Sequence, residues 1–273
     1  MLKRIFSSFI IIPLIIAGLF NKWFFLLLIL IFTVGGLYEF FYLAKKKGIP
    51  IYDYTGILIG VLIPLTTFFR FQPTKGWELL FIVLVLGTVF ILQFRRKDNN
   101  NALIGISTTL FGILYVSWLF SFTIKVRFLM ADVSDWAGLR LLAFVLLVTK
   151  FGDVGALLIG KVLGKHPLLP TVSPKKTIEG GLGGLLMSAF IALLAFKLMP
   201  PELGLTLWQV VLMGAALGII GQLGDMSESQ IKRDCNVKDS GKLMPGLGGV
   251  LDMIDSLLFA VPVFYFFISA ILQ

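Results

Sequence analysis

Apolar residues in this chain come in long unbroken runs. They fall at roughly 5–21, 23–44, 51–70, 77–94, 103–124, 138–160, 178–199, 205–226 and 250–272, with short polar turns between them. Each run is close to the ~20 residues that a helix needs to cross the hydrocarbon core. The pattern predicts an all-α, polytopic integral membrane protein with about nine transmembrane helices. Lys3 and Arg4 ahead of the first run give it the look of a secretion signal. Its small-residue cleavage pattern is poor and further runs follow at once, so we read it as retained.

Composition agrees with this reading. Of 273 residues, 58% are hydrophobic and only 14% charged, too little polar surface for a soluble domain of this length. The net charge of +9 is accounted for by Lys and Arg that collect in cytoplasmic loops and meet anionic headgroups, so no nucleic-acid partner is implied. The N-terminal tail and the even-numbered loops hold 16 Lys and Arg, against 7 in the odd-numbered loops. That bias places the basic loops in the cytoplasm. It narrows to 8 against 7 when the last two basic loops are set aside as basic for chemical reasons. The single cysteine, Cys235, excludes an intrachain disulfide and a cysteine-based zinc cluster. The charge pattern changes near residue 150. Before it, charges sit between runs, with Glu39 the main exception; after it they sit at and inside run ends, and glycines multiply. We therefore expect scaffold helices over 1–150 and the catalytic region over 151–273.

Three groups of residues carry candidate chemistry. Lys150 and Asp153 lie inside the sixth run at i,i+3 spacing, where a pair can form on one helix face. Next, Ser173-Pro174-Lys175-Lys176-Thr177 precedes the seventh run. Ser173 reads as an N-cap with Pro174 at the first helical position, which would put two lysines at a helix N-terminus and make an anion site. Ordinary juxtamembrane lysines beside a cap explain the same segment. His166 stands alone as a histidine and reads as a surface residue.

The third group runs from Gly224 to Asp255. Asp225, Glu228, Ser229 and Lys232 share one helix face at the end of the eighth run, and Asp252 and Asp255 are i,i+3 near the start of the ninth. Three or four carboxylates are thus brought towards one point, where they repel unless a cation lies between them. Hard oxygen ligands beside a phosphate suggest Mg²⁺, and Lys232, Arg233 and Lys238 suit phosphate oxygens. A polar loop with helix caps explains Asp239-Ser240-Gly241 and Pro245-Gly246, but not two acids directly ahead of Leu257-Leu258-Phe259. Leu205 to Arg233 is 29 residues, about 43 Å as helix, long enough to carry the charged end to the interface. Gly180 with Gly184, and Gly214 with Gly218, read as small faces for close helix packing.

Residues 229–255 resemble the signature of the phosphatidate cytidylyltransferase (CDP-diacylglycerol synthase) family. Ser229, Lys232, Arg233, Lys238, Asp239, Gly241, Pro245, Gly248, Gly249, Asp252 and Asp255 match it in order and spacing. Asp153 and the Ser173–Thr177 segment with Glu179-Gly180 look like the family as well. Leu247 stands where the family usually has His, and Met253 where it usually has Arg. The resemblance implies transfer of a cytidylyl group from CTP to phosphatidic acid, giving CDP-diacylglycerol and pyrophosphate. It implies Asp225, Asp252 and Asp255 as metal ligands for Mg²⁺, with a second cation such as K⁺ beside it. Lys232, Lys238 and Asp239 join those acids in the catalytic set, and Ser173, Lys175, Lys176, Ser229, Arg233, Gly248 and Gly249 bind substrate. It further implies a homodimer among membrane lipids, in a bacterial inner membrane with the site facing the cytoplasm. Three readings stand beside this one: a CTP-dependent transferase with another lipid acceptor, an inactive paralogue, and a transporter, which would carry its charges near the midplane.

Overall fold

The structure, a computed structural model, describes residues 13–74, 76–96, 99–241 and 248–272. Lys3, Arg4, most of the first apolar run, Lys75, Lys97, Lys242, Pro245 and Leu247 lie outside the described residues. Residues 13–20 are helical. Helix α1 (Lys22–Lys46) follows, then α2 (Asp53–Phe68), α3 (Trp77–Phe94) and α4 (Ala102–Gly112). A π-helical turn (Ile113–Trp118) joins α4 to α5 (Leu119–Arg127). Then come α6 (Asp135–Leu163), β1 (Pro167–Leu169), β2 (Ser173–Thr177), α7 (Ile178–Leu194), α8 (Leu207–Asp234) and α9 (Leu251–Leu272).

Six of these stretches are long and apolar enough to cross a bilayer among the described residues: α1, α3, the rod from Ala102 to Arg127, α6, α8 and α9. Helices α2 and α7 are apolar but shorter, at 16 and 17 residues. Starts are fixed by caps that satisfy free N–H groups. Asn21 accepts from Trp23 and Phe24, Ser134 accepts from Trp136, and Thr206 forms a capping box with Gln209. Among the described residues the one β-hairpin is the antiparallel pair of β1 and β2. That hairpin corrects the reading of Ser173 as an N-cap. Ser173–Thr177 is a strand, and the cap of α7 is Thr177, whose side chain accepts from Gly180 N–H.

The chain packs as two compact units, the first of 1–121 with 239–251, the second of 122–238 with 252–273. In the first, Leu37, Phe41, Ile113 and Val116 are fully buried. Helix α3 in that unit buries only Val85, Val89 and Gln93, so nearly all of its apolar surface is left for lipid. In the second, Phe144 stacks on Phe264 at 5.8 Å. Helices α6, α7 and α8 approach each other through glycines. A Cβ at Gly214 would lie 2.3 Å from Ala192 Cβ, and one at Gly184 would lie 2.8 Å from Gln222 Nε2 and 3.0 Å from Ala156 Cβ. The small faces of α7 and α8 therefore serve close packing.

Candidate active site

The site grows from the polar end of α8. This helix does not stop where its apolar run stops, and continues through Asp225, Glu228, Ser229 and Lys232 to Asp234. Glu228 and Lys232 form an i,i+4 ion pair along it, and Lys232 and Arg233 complement the negative helix end. Asn236, in the left-handed conformation at φ 55°, then ends it. At 28 residues the helix is about 42 Å long. Helix α9 brings Asp252 and Asp255 in its opening turns, where acids suit the positive helix end.

Gly224 lets the two helices meet. A Cβ there would lie 2.4 Å from the Asp255 carbonyl oxygen. As a result Asp225, Glu228 and Asp255 each offer a carboxylate oxygen within 4.8 Å of the others. Glu228 is fully buried, Asp255 is 6% exposed and Asp225 is half-buried. Two lysines enter the same cluster. Lys232 is ion-paired to both Glu228 and Asp252, and Lys176 of β2 reaches Asp225 at 2.7 Å. Among the described residues, the four carboxylates Asp225, Glu228, Asp252 and Asp255 gather here with the ammonium groups of Lys176 and Lys232. An all-oxygen donor set of this kind suits a hard divalent ion such as Mg²⁺.

Beside this cluster, Lys150 and Asp153 pair at 3.5 Å as their spacing predicts. Both also bond the buried Ser256. Lys150 Nζ donates to its hydroxyl oxygen at 2.8 Å, and that hydroxyl donates to Asp153 at 3.0 Å. The hairpin is tied to its neighbours by backbone contacts. Glu179 accepts from the N–H groups of Lys165 and His166 and meets the His166 ring at 2.6 Å. Arg233 donates to the carbonyls of Val172 and Val237.

The expected site residues therefore fall into groups. Lys176, Asp225, Lys232, Asp252 and Asp255 come together, and Ser229 is buried on the same stretch of α8. Arg233 is exposed and holds backbone carbonyls. Ser173 is half-buried on β2, and Lys175, Lys238 and Asp239 are exposed. Gly248 and Gly249 belong to the first unit with Asp239. Asp252, expected as a metal ligand, is engaged by Lys232, while Glu228 completes the compact carboxylate triad. Sequence reasoning missed Ser256, although a serine directly after two acids at a span end was there as a signal.

These features sit in a chain that the Cytidylyltransferase family profile matches over residues 2–271, and the protein belongs to that family. A phosphatidate cytidylyltransferase of Bacillus subtilis is 33% identical over 247 residues, covering 88% of this chain and 88% of that protein. Another, from Synechocystis sp., is 33% identical over 295 aligned positions, covering 99% of this chain and 97% of its own length. The uncharacterized protein YnbB of Escherichia coli is 36% identical over 208 residues, or 74% of this chain. That match spans 63% of YnbB, less than two thirds of it.

Proposed function

We propose that the protein transfers the cytidylyl group of CTP to phosphatidic acid, giving CDP-diacylglycerol and pyrophosphate. The observation that carries this reading is the junction of α8 and α9, where four acids and two lysines converge at the ends of bilayer-length helices. Membership of the family and the named phosphatidate cytidylyltransferases that align over nearly their full length point the same way.

The chemistry suits these residues. An oxygen of the lipid phosphate attacks the α-phosphorus of CTP, the bond from that phosphorus to the bridging oxygen breaks, and pyrophosphate leaves. The attacking phosphate is already anionic near neutral pH, so no strong general base is needed. Catalysis then rests on aligning two polyanions and neutralising them. A bound Mg²⁺ would supply charge neutralisation and orientation to the phosphates. Asp225, Glu228 and Asp255 would hold it, and Asp252 joins them when Lys232 turns to a phosphate. Lys176 and Lys232 are aimed at the site by the acids that pair with them. Lys150, held by Asp153 and Ser256, is a third cation at its edge.

The remaining features follow from this reading. The chain crosses the membrane about nine times, α2 and α7 included. The α8–α9 junction faces the cytoplasm of a bacterial inner membrane, and the protein works as a homodimer. A second acceptor is tested beside it because Met253 lies between Asp252 and Asp255, where the family signature that this stretch resembles has Arg. The test is to incubate purified protein with labelled CTP, Mg²⁺ and a panel of phospholipids. CDP-diacylglycerol from phosphatidic acid is expected. Product only from another lipid would move the reading to that acceptor, and no lipid-linked cytidylyl product from any of them would overturn it.

A further inference from the structure

We propose that Glu39 is a positioning residue for the transfer, clamping with one buried carboxylate both ends of the stretch from Ser240 to Leu251. This rests on the cytidylyltransferase reading above, since that stretch holds Gly248 and Gly249 and leads directly into Asp252. Glu39 is the acid that interrupts the apolar face of α1. It is 2% exposed, among the buried Leu37, Phe40, Phe41 and Leu43. Removing a carboxylate from water is expensive, and such a group is normally matched with a cation. No ion pair to Glu39 is found among the described residues.

What meets it instead are Ser240, Gly241, Gly249 and Leu251. Glu39 Oε2 accepts from the Ser240 hydroxyl at 3.0 Å and from the Leu251 N–H at 2.9 Å. Leu251 is the first residue of α9, and its N–H is one of the free donors of that helix end. A carboxylate from 212 positions earlier in the chain thus caps the helix that carries Asp252. The glycines are fitted to the same group. A Cβ at Gly241 would lie 2.1 Å from Glu39 Oε1, and a Cβ at Gly249 would lie 2.2 Å from Oε2 and 2.1 Å from Ser240 Oγ. Among the described residues Oε1 finds no hydrogen-bond partner. One carboxylate therefore touches Ser240 and Gly241 on one flank and Gly249 and Leu251 on the other, through neutral donors and bare backbone, and holds these two flanks without adding a positive charge.

The experiment compares wild type with Glu39→Ala, Glu39→Gln, Gly241→Ala and the Glu39→Ala/Gly241→Ala double variant. It reads kcat and KM for CTP together with amide hydrogen exchange of the full-length protein in detergent. Glu39→Ala is expected to lower kcat/KM about 100-fold, the size typical of a small misplacement of binding groups. It should speed exchange across 239–251 and leave exchange across 207–234 unchanged. Glu39→Gln keeps an acceptor oxygen and should recover most of that loss. Gly241→Ala should be damaging alone yet add little in the Glu39→Ala background, because every atom that its Cβ collides with belongs to the Glu39 carboxylate arm. Wild-type kcat/KM and exchange in Glu39→Ala would overturn the proposal. So would faster exchange throughout the protein, or fully additive losses in the double variant. A wild-type protein that makes no CDP-lipid would sink the cytidylyltransferase reading instead, and the exchange pattern alone would then decide whether Glu39 clamps the segment.

Discussion

Glu39 on α1 and Glu228 on α8 are both glutamates on apolar helices, exposed by 2% and 0%. Their surroundings differ in kind. Glu228 sits among other charges, with Lys232 on the next turn and Asp225 and Asp255 within 4.8 Å. Glu39 meets a hydroxyl, a backbone N–H and two glycines. A crowd of like charges is costly by itself and favours a ligand that brings positive charge. A single carboxylate answered by neutral donors needs no ligand and fixes backbone. On the proposed reading the first arrangement serves chemistry and the second shape, although both would look the same in a search for acids inside spans.

Substitutions can separate these roles. The largest effect is expected from Asp225→Asn or Asp252→Asn, which should lower CDP-lipid formation by about 1000-fold or more, the loss of a few kcal/mol of metal-borne stabilisation. Either variant should leave the exchange of 239–251 as in wild type. Next, Lys232→Met removes the cation that Glu228 and Asp252 share. Breaking a buried pair in this way costs about 3–5 kcal/mol, so the detergent-solubilised protein should unfold at lower temperature. Added Mg²⁺ should restore part of that stability, whereas it should not rescue Glu39→Ala. Glu39→Ala itself should lose about 100-fold in activity with KM and exchange changing together. The smallest effect should come from Ser256→Ala, which removes one hydroxyl from Lys150 and Asp153. Hydrogen bonds to charged groups contribute about 1.5–3 kcal/mol, but Lys150 and Asp153 keep each other, so a loss of roughly tenfold or less in kcat/KM is expected.

Much of this was legible from residue order. Long apolar runs place the helices because the bilayer demands length and little else; among the described residues helices stand at the eight runs from 23–44 onward, and residues 13–20 of the first run are helical. The spacing of Asp225, Glu228 and Lys232 gave their common face, and α8 indeed continues through them. The hairpin was not legible. Ser173-Pro174 has the form of a helix start, and only pairing with Pro167–Leu169 makes the segment a strand. The pairing of Asp252 with Lys232 also escaped sequence reasoning, because it depends on which rotamer a long side chain adopts across two helices. Glu39 stood out as a charge inside a run, but its partners lie 201 and 212 positions away, and no local pattern connects them. The change in charge pattern near residue 150 and the packing of the chain into two units divide it differently, because packing follows contact between distant segments such as 239–251 and α1.

The central claim is that the carboxylates at the α8–α9 junction hold the cation that makes lipid phosphate and CTP react. The most direct measurement compares wild type and Asp252→Asn, purified side by side in detergent with phosphatidic acid, for release of pyrophosphate and formation of CDP-diacylglycerol across a Mg²⁺ titration. Wild type should form both products in equal amounts, need Mg²⁺ and lose all activity to a chelator, while the variant stays folded and inactive at every Mg²⁺ concentration. Full activity of Asp252→Asn, or CDP-lipid formation by wild type that persists in excess chelator, would contradict the account.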